Sequence, residues 1–317
     1  MKRTEYISKG KKGAAAILKD EVKNYWQLYV LLILPIAYFI IFKYLPMYGA
    51  QIAFRDYSPV KGITGSPWVG LKHFKAFFLS PQCKMLIVNT VSLSVYSIIA
   101  GFIFPIILAI CFNYIGNAGL KKLAQTATFI PNFISTVVMV GILFQLFNSR
   151  IGVITKLIEA ITHTKVDVLG NPKMFRHLYV WSGVWQTAGW NSVIYIAALT
   201  GVDDQLHEAA IVDGASKLKR IIHIDIPAIM PTAIIMFILN LGGVMTVGFE
   251  KALLMQNSLN IGYSEVIDTY VYKIGIAAQG ASFSYPSAIG IVQAVINFIL
   301  VFTVNKISAK VSETSLW

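Results

Sequence analysis

The sequence predicts an all-α membrane protein with six transmembrane helices. Two observations lead there. Of 317 residues, 56% are hydrophobic and only 13% are charged, with a mean hydropathy of +0.64. Asp, Glu, Lys and Arg are also absent from six long windows, 24–42, 85–120, 123–149, 177–202, 226–249 and 274–305. A helix crossing the hydrocarbon core needs roughly 20 mostly apolar residues. A membrane barrel would instead show ~10-residue segments of alternating polarity.

In order along the chain, the spans are expected near 27–46, 86–112, 123–147, 178–199, 229–249 and 285–305. They compose a transmembrane domain over 28–305, between a basic arm at 1–27 and a tail at 306–317. The arm sets Lys2, Arg3, Lys9, Lys11, Lys12, Lys19 and Lys23 against Glu5, Asp20 and Glu21. That excess places the N-terminus in the cytoplasm, and six spans return the C-terminus to the same side. The first apolar run has no small-residue cleavage pattern after it, so an uncleaved anchor is expected. The net charge of +12 is explained by a basic arm resting on anionic headgroups. A nucleic-acid protein would need a basic folded domain, which this chain lacks.

Between the spans, 43–84, 148–177 and 250–284 are expected outside. The first is rich in aromatics, Pro and Gly, which argues for compact loops and short helices. In the second, "IGVITKLIEAITH" puts Ile151, Ile154, Leu157, Ile158 and Ile161 on one face of an amphipathic helix.

Several chemistries find no support. The chain has no phosphate-binding G-x-x-x-x-G-K-[ST], no H-E-x-x-H and no G-x-S-x-G. Its five histidines lie apart, away from metal spacing, and Cys83 and Cys111 form no disulfide framework. No span carries a charge near its centre, as a proton relay or voltage sensor requires. A membrane-embedded enzyme would need acid, base or metal groups clustered at one depth, so neither catalytic nor metal-binding residues are assigned.

The most informative stretch is charged. "DDQLHEAAIVDGASKLKRIIHIDIP" occupies most of the loop 203–228 between spans four and five. Asp203 and Asp204 stand where a helix N-cap belongs. Gly214 supplies a residue that takes a positive φ at low cost. Pro227 suits the first turn of the following helix, where its missing N–H is harmless. The expected result is a short rigid elbow joined to a spanning helix.

The elbow resembles the EAA motif of binding-protein-dependent ABC importer permeases, EAA-x3-G-x9-I-x-L-P. Glu208, Ala209, Ala210, Gly214, Ile224 and Pro227 fall at its spacings, and Asp213 and Ala215 complete a "DGA" common in sugar permeases. Ile226 stands where the motif has Leu. "KYLPMYGAQIAFRDYSP", "WVGLKHF", "VWSGVWQTAGWNSVIYIAAL" and "VGFEKALLMQN" are similar to the polysaccharide and oligosaccharide branch, which includes maltose-permease-like proteins. The resemblance implies a type I importer fold and a bacterial cell membrane. It implies a second, homologous permease as heterodimer partner, an extracytoplasmic solute-binding protein and two cytoplasmic ATP-binding subunits. Those subunits would hold ATP and Mg, leaving no cofactor in this chain. It also implies that the elbow is the coupling helix docked on an ATPase, and that the solute is an oligosaccharide or polysaccharide fragment. The alternative is the same architecture for an amino acid, peptide or phosphate.

A sugar needs hydrogen-bonding groups and aromatic faces within the spans. The candidates are Trp185, Gln186, Trp190, Asn191 and Tyr195 in span four, with Asn240 and Thr246 in span five. Asn89, Asn132, Gln145, Gln293 and Asn297 are further polar residues in the spans, where helix–helix hydrogen bonding is the alternative role. Glu250 could meet the binding protein or pair with Lys251.

Overall fold

A computed structural model describes residues 14–278 and 282–312. The arm charges Lys2, Arg3, Glu5, Lys9, Lys11 and Lys12, and residues 313–317, lie outside the described residues. Apart from one isolated bridge, every regular element among those described is helical. They fall into two compact units, one up to Val69 and one from Gly70 onward.

The first unit is dominated by one long helical run, kinked at Tyr25. Helix α1 (Ala14–Phe39) passes through a π-turn (Ile40–Tyr44) and α2 (Leu45–Met47) into a 3-10 turn (Tyr48–Phe54). The π-turn ends just before Pro46, whose ring would press on the carbonyl four residues back in a regular helix. Helix therefore reaches beyond the expected 27–46, into the segment expected to hold compact loops and short helices. After it, Arg55 and Trp68 form the bridge that closes a loop holding α3 (Gly62–Gly65). Arg55 Nη1 donates to Ser66 O at 2.8 Å, and its guanidinium lies 5.4 Å from the Trp68 ring centre.

The second unit begins with α4 (Lys72–Leu79) and α5 (Pro81–Tyr114). Pro81 opens α5 at a position where its missing N–H costs nothing. Span three is not one helix. It consists of α6 (Ala118–Phe129), a 3-10 turn (Ile130–Phe133) and α7 (Thr136–Leu146), bent by 104°. Pro131 sits in the turn, Ile134 is extended, and Ser135 caps α7 by accepting from Val138 N–H. The amphipathic segment forms α8 (Val153–Thr162), ended by His163 at φ 53.

Helix α9 (Met174–Leu199) packs along α5 and α6. At its closest point a Cβ on Gly189 would stand 2.2 Å from the Thr128 carbonyl oxygen. The elbow follows as α10 (Asp204–Val212) and α11 (Lys217–Arg220). A π-turn (Ile221–Asp225) carries the chain directly into α12 (Ile226–Leu241). Span five thus starts well before the expected 229 and stops at Gly242–Gly243, short of the expected 249. A non-helical stretch leads to α13 (Phe249–Met255), α14 (Ile261–Ser264) and α15 (Ile267–Tyr272). A further π-turn (Lys273–Ala277) and then α16 (Ser284–Ser312) complete the described chain.

Four helical runs are long and apolar enough to cross a membrane, Val22–Phe54, Pro81–Tyr114, Lys217–Leu241 and Ser284–Ala309. The bent pair α6–α7 makes up to five. Helix α9 is 26 residues long but is not among them. Its Trp, Gln, Asn and Tyr side chains lower its hydropathy. The count of six therefore rests on α9, the most polar of the predicted spans.

The core of the second unit is thin. Leu93, Val140, Val184 and Met255 close one cluster, Phe77, Leu86, Met245 and Ile289 a second, and Ala109, Tyr195 and Ile229 a third. Outside them, large apolar side chains such as Ile103, Val193 and Phe298 stand exposed, an arrangement suited to hydrocarbon contact.

Candidate functional site

The elbow is defined by its ends. Asp203 accepts a hydrogen bond from Gln205 N–H at 2.9 Å and caps α10. At the other end Gly214 adopts φ +74. Its N–H donates to Ile211 O at 3.0 Å, and Ala215 N–H donates to Ala210 O at 2.8 Å. This is a Schellman closure, in which a left-handed residue satisfies the last helical carbonyls. Ser216 then caps α11 through Lys219 N–H. The predicted turn at Gly214 is present.

Pro227 lies in the first turn of α12, as expected, although that helix continues directly from the π-turn. It lies two residues after the π-turn, inside one helical run. The wider turn accommodates a ring that would otherwise press on the His223 carbonyl.

Asp225, fully buried, ties the elbow down. Tyr114 Oη, at the end of α5, donates to Asp225 Oδ2 at 2.8 Å. His207 Nε2, on α10, lies 3.3 Å from Asp225 Oδ1, within charge-attraction range but without hydrogen-bond alignment. The outer face is different. Glu208, Ala209, Asp213 and Gly214 are exposed, as are Leu206, Ile211, Val212 and Leu218. Ala215 and Ile224 are half-buried.

The second feature is a cavity of about 560 Å3 between α5, α9, α12 and the chain leading into α13. Of the sequence candidates, Gln186, Asn191, Tyr195, Asn240 and Thr246 line it. Trp185 and Trp190 do not, and both are about half exposed. Trp190 lies edge-on to Phe133, with ring centres 5.7 Å apart.

The hydrogen bonds divide the polar residues. Gln186 Nε2 donates to Ile134 O at 2.7 Å, so it also satisfies the break in span three. Asn240 Nδ2 donates back to Met236 O, leaving its oxygen directed elsewhere. Asn89 holds Gly262 O and Glu265 O and accepts from Arg176. Asn297 accepts from Met245 N–H at 2.9 Å, and Gln293 donates to Met245 O. The last two amides thus replace helical partners where span five breaks. Asn132 and Gln145 are placed in the turn and the helix of broken span three, and neither lines the cavity.

Sequence reasoning missed five polar cavity-lining residues, Ser94, Ser97, Tyr179, Thr187 and Lys251. Lys251 Nζ donates to Tyr179 O at 2.8 Å and lies 4.7 Å from the Tyr179 ring centre. It does not pair with Glu250, which is exposed. Burial pushes the Lys251 ammonium down to about 8, so at neutral pH it remains mostly charged. The signal for it was its position two residues past a charge-free window.

A membrane-embedded helical unit with a capped, outward-facing elbow and a polar cavity is the architecture of a transport permease. The chain belongs to the family of binding-protein-dependent transport system inner membrane components, whose profile matches residues 101–313. It is 41% identical over 309 residues to Protein LplB of Bacillus subtilis (strain 168), covering 98% of this chain and 95% of LplB. It is 41% identical over 290 residues to the polygalacturonan/rhamnogalacturonan transport system permease protein YteP of the same organism, covering 92% of this chain and 90% of YteP. Among solved structures, it matches a chain of a bacterial ABC transporter involved in the import of the acidic polysaccharide alginate. That match has a TM-score of 0.85 and 34% identity, over 93% of this chain and 99% of the other. The fold is that of a type I ABC importer permease, and the protein is a multi-pass membrane transport subunit, not an enzyme.

Proposed function

We propose that this chain is one of two homologous permeases in an importer that takes up an oligosaccharide or polysaccharide fragment handed over by an extracytoplasmic binding protein. The observation that carries this reading is the near-full-length similarity to polysaccharide permeases, joined to a cavity lined by amides, hydroxyls and Tyr195. Sugars are held by such groups, with aromatic faces against the apolar side of the ring.

Both termini lie in the cytoplasm in this reading, and the elbow faces two separate ATP-binding subunits that carry ATP and Mg. The capped elbow supports it. Leu206, Ile211, Val212 and Leu218 are exposed among charges on a segment whose two helices bury no residue, and a partner covering them would remove apolar surface from water. Glu208, Ala209, Ala210, Asp213 and Ala215 would form or brace that face, with Gly214 as the joint and Ile224 and Pro227 linking it to α12. ATP-driven closure of the ATPases would draw two elbows together and open the permease pair outward. Hydrolysis would reset the pair inward, in an alternating equilibrium biased by the partners.

The test is reconstitution of both permeases, the ATPase and the binding protein in liposomes. Uptake of labelled oligosaccharide that requires both ATP and the binding protein is expected. ATP-driven uptake of amino acids, peptides or phosphate with no glycan uptake would replace the sugar by one of those solutes.

A further inference from the structure

Lys251 is a buried cation in the cavity wall with no counter-ion among the described residues. It is the one charged residue among those lining the cavity, and it is 9% exposed. Among the described residues, no carboxylate lies within ion-pairing distance of its Nζ. An ammonium has three N–H donors, and only the one to Tyr179 O is used. The absence of a side chain at Gly183 leaves room for the head. A Cβ on Gly183 would come within 3.2 Å of Nζ. Ser94 Oγ and Ser97 Oγ, on the same cavity, are buried without a hydrogen-bond partner.

A tether between α13 and α9 could be built from a neutral donor, without the cost of desolvating a charge that lacks a counter-ion. An ammonium with two donors left over is instead suited to an acidic group arriving with the solute. Among the described residues the cavity offers no second charge, so it suits one such group at a time, with the amides of Asn191 and Asn240 left for sugar hydroxyls.

We propose that Lys251 reads an acidic substituent on the transported glycan, a uronate carboxylate or a sugar sulfate, and so makes the permease itself selective for anionic oligosaccharides. This rests on the oligosaccharide reading above.

The experiment uses the complete reconstituted importer and measures stimulated ATP hydrolysis and uptake. The probes are tetragalacturonate, its fully methyl-esterified neutral form and a sulfated oligosaccharide of similar length. The binding protein's own affinity for each is measured separately, so that any remaining preference belongs to the permease. Wild-type protein is expected to prefer an acidic probe, and whichever one it takes identifies the group. Lys251→Gln should lower the response to that probe roughly ten- to a hundredfold, lower the response to the neutral form far less and thereby erase the preference. Lys251→Arg should restore much of it. A wild-type preference for the neutral probe, or no response to either acidic probe, overturns the proposal. So does equal loss for acidic and neutral probes in Lys251→Gln, which would mark a structural tether. If Lys251→Gln fails to assemble, the wild-type comparison of ester with acid still decides. Uptake of neutral glycans alone would sink this inference and leave the oligosaccharide reading standing. No response to any glycan would sink both.

Discussion

Two glycines carry unlike constraints. Gly189 is fixed by space, since a side chain would enter the backbone of α6 at the Thr128 carbonyl. Backbone cannot yield as a side chain tip does. Gly189→Ala should therefore separate α9 from α6 and destabilise the permease by about 1–3 kcal/mol, read as a lower midpoint of thermal unfolding in detergent. An unchanged midpoint would mean that the two helices part freely. Gly214 is fixed by its backbone angle, with open space around it. Gly214→Val should cost roughly 1 kcal/mol in left-handed strain and leave membrane insertion intact, while recovery of the ATPase in pull-down falls. Full recovery with normal uptake would remove the elbow from the coupling role. Among substrate candidates, Asn240 lines the cavity and Trp190 lies outside its lining. Asn240→Ala should cost about 1–3 kcal/mol of solute interaction and lower sugar-stimulated ATP hydrolysis more than basal hydrolysis. Trp190→Ala should change stimulation less, and the reverse order would return Trp190 to the site.

Elements show what a sequence reveals and what it hides. The elbow was readable because its signals are local: a cap at Asp203, a left-handed joint at Gly214 and a ring at Pro227, each tied to one backbone state. The breaks in spans three and five were not read from the sequence, because apolar composition marks membrane depth and is silent on helix continuity. Pro131 and the pair Gly242–Gly243 were their only local traces. The amides that mend the breaks, Gln186, Gln293 and Asn297, act on carbonyls or N–H groups 48 to 52 positions away in the chain. No short-range pattern records such a pairing. Lys251 was overlooked for a related reason, since Glu250 beside it in sequence suggested a pair that the fold does not make. At the elbow's base, buried Asp225 joins α5 to the helical run from α11 through α12. Asp225→Ala leaves Tyr114 Oη without its acceptor and removes the charge facing His207. It should loosen the elbow by about 1–3 kcal/mol, seen as faster amide hydrogen exchange over 204–225 with α16 unaffected. Uniform exchange across the chain would instead mark a general loss of fold.

At the scale of the whole molecule, the exposed surface poses a question of solvent. Ile103, Val193 and Phe298 suit lipid tails. Asn191, Asn240 and Thr246 do not, although they are exposed and lie on segments expected within the membrane. Asn240 and Thr246 each make an internal hydrogen bond, but the polar atoms left over would cost several kcal/mol each in hydrocarbon, so lipid does not suit them as a neighbour. A water-filled path between two permeases would meet that need, with the partner covering the face on which the cavity opens. Expressed alone in membranes and extracted in mild detergent, this chain should aggregate or be degraded. Co-expressed with its homologous partner, it should elute as one defined heterodimer with a higher unfolding midpoint. Recovery of the single chain as a monodisperse, thermally stable monomer would mean that its polar residues are satisfied internally, and the proposed pairing would lose its physical basis.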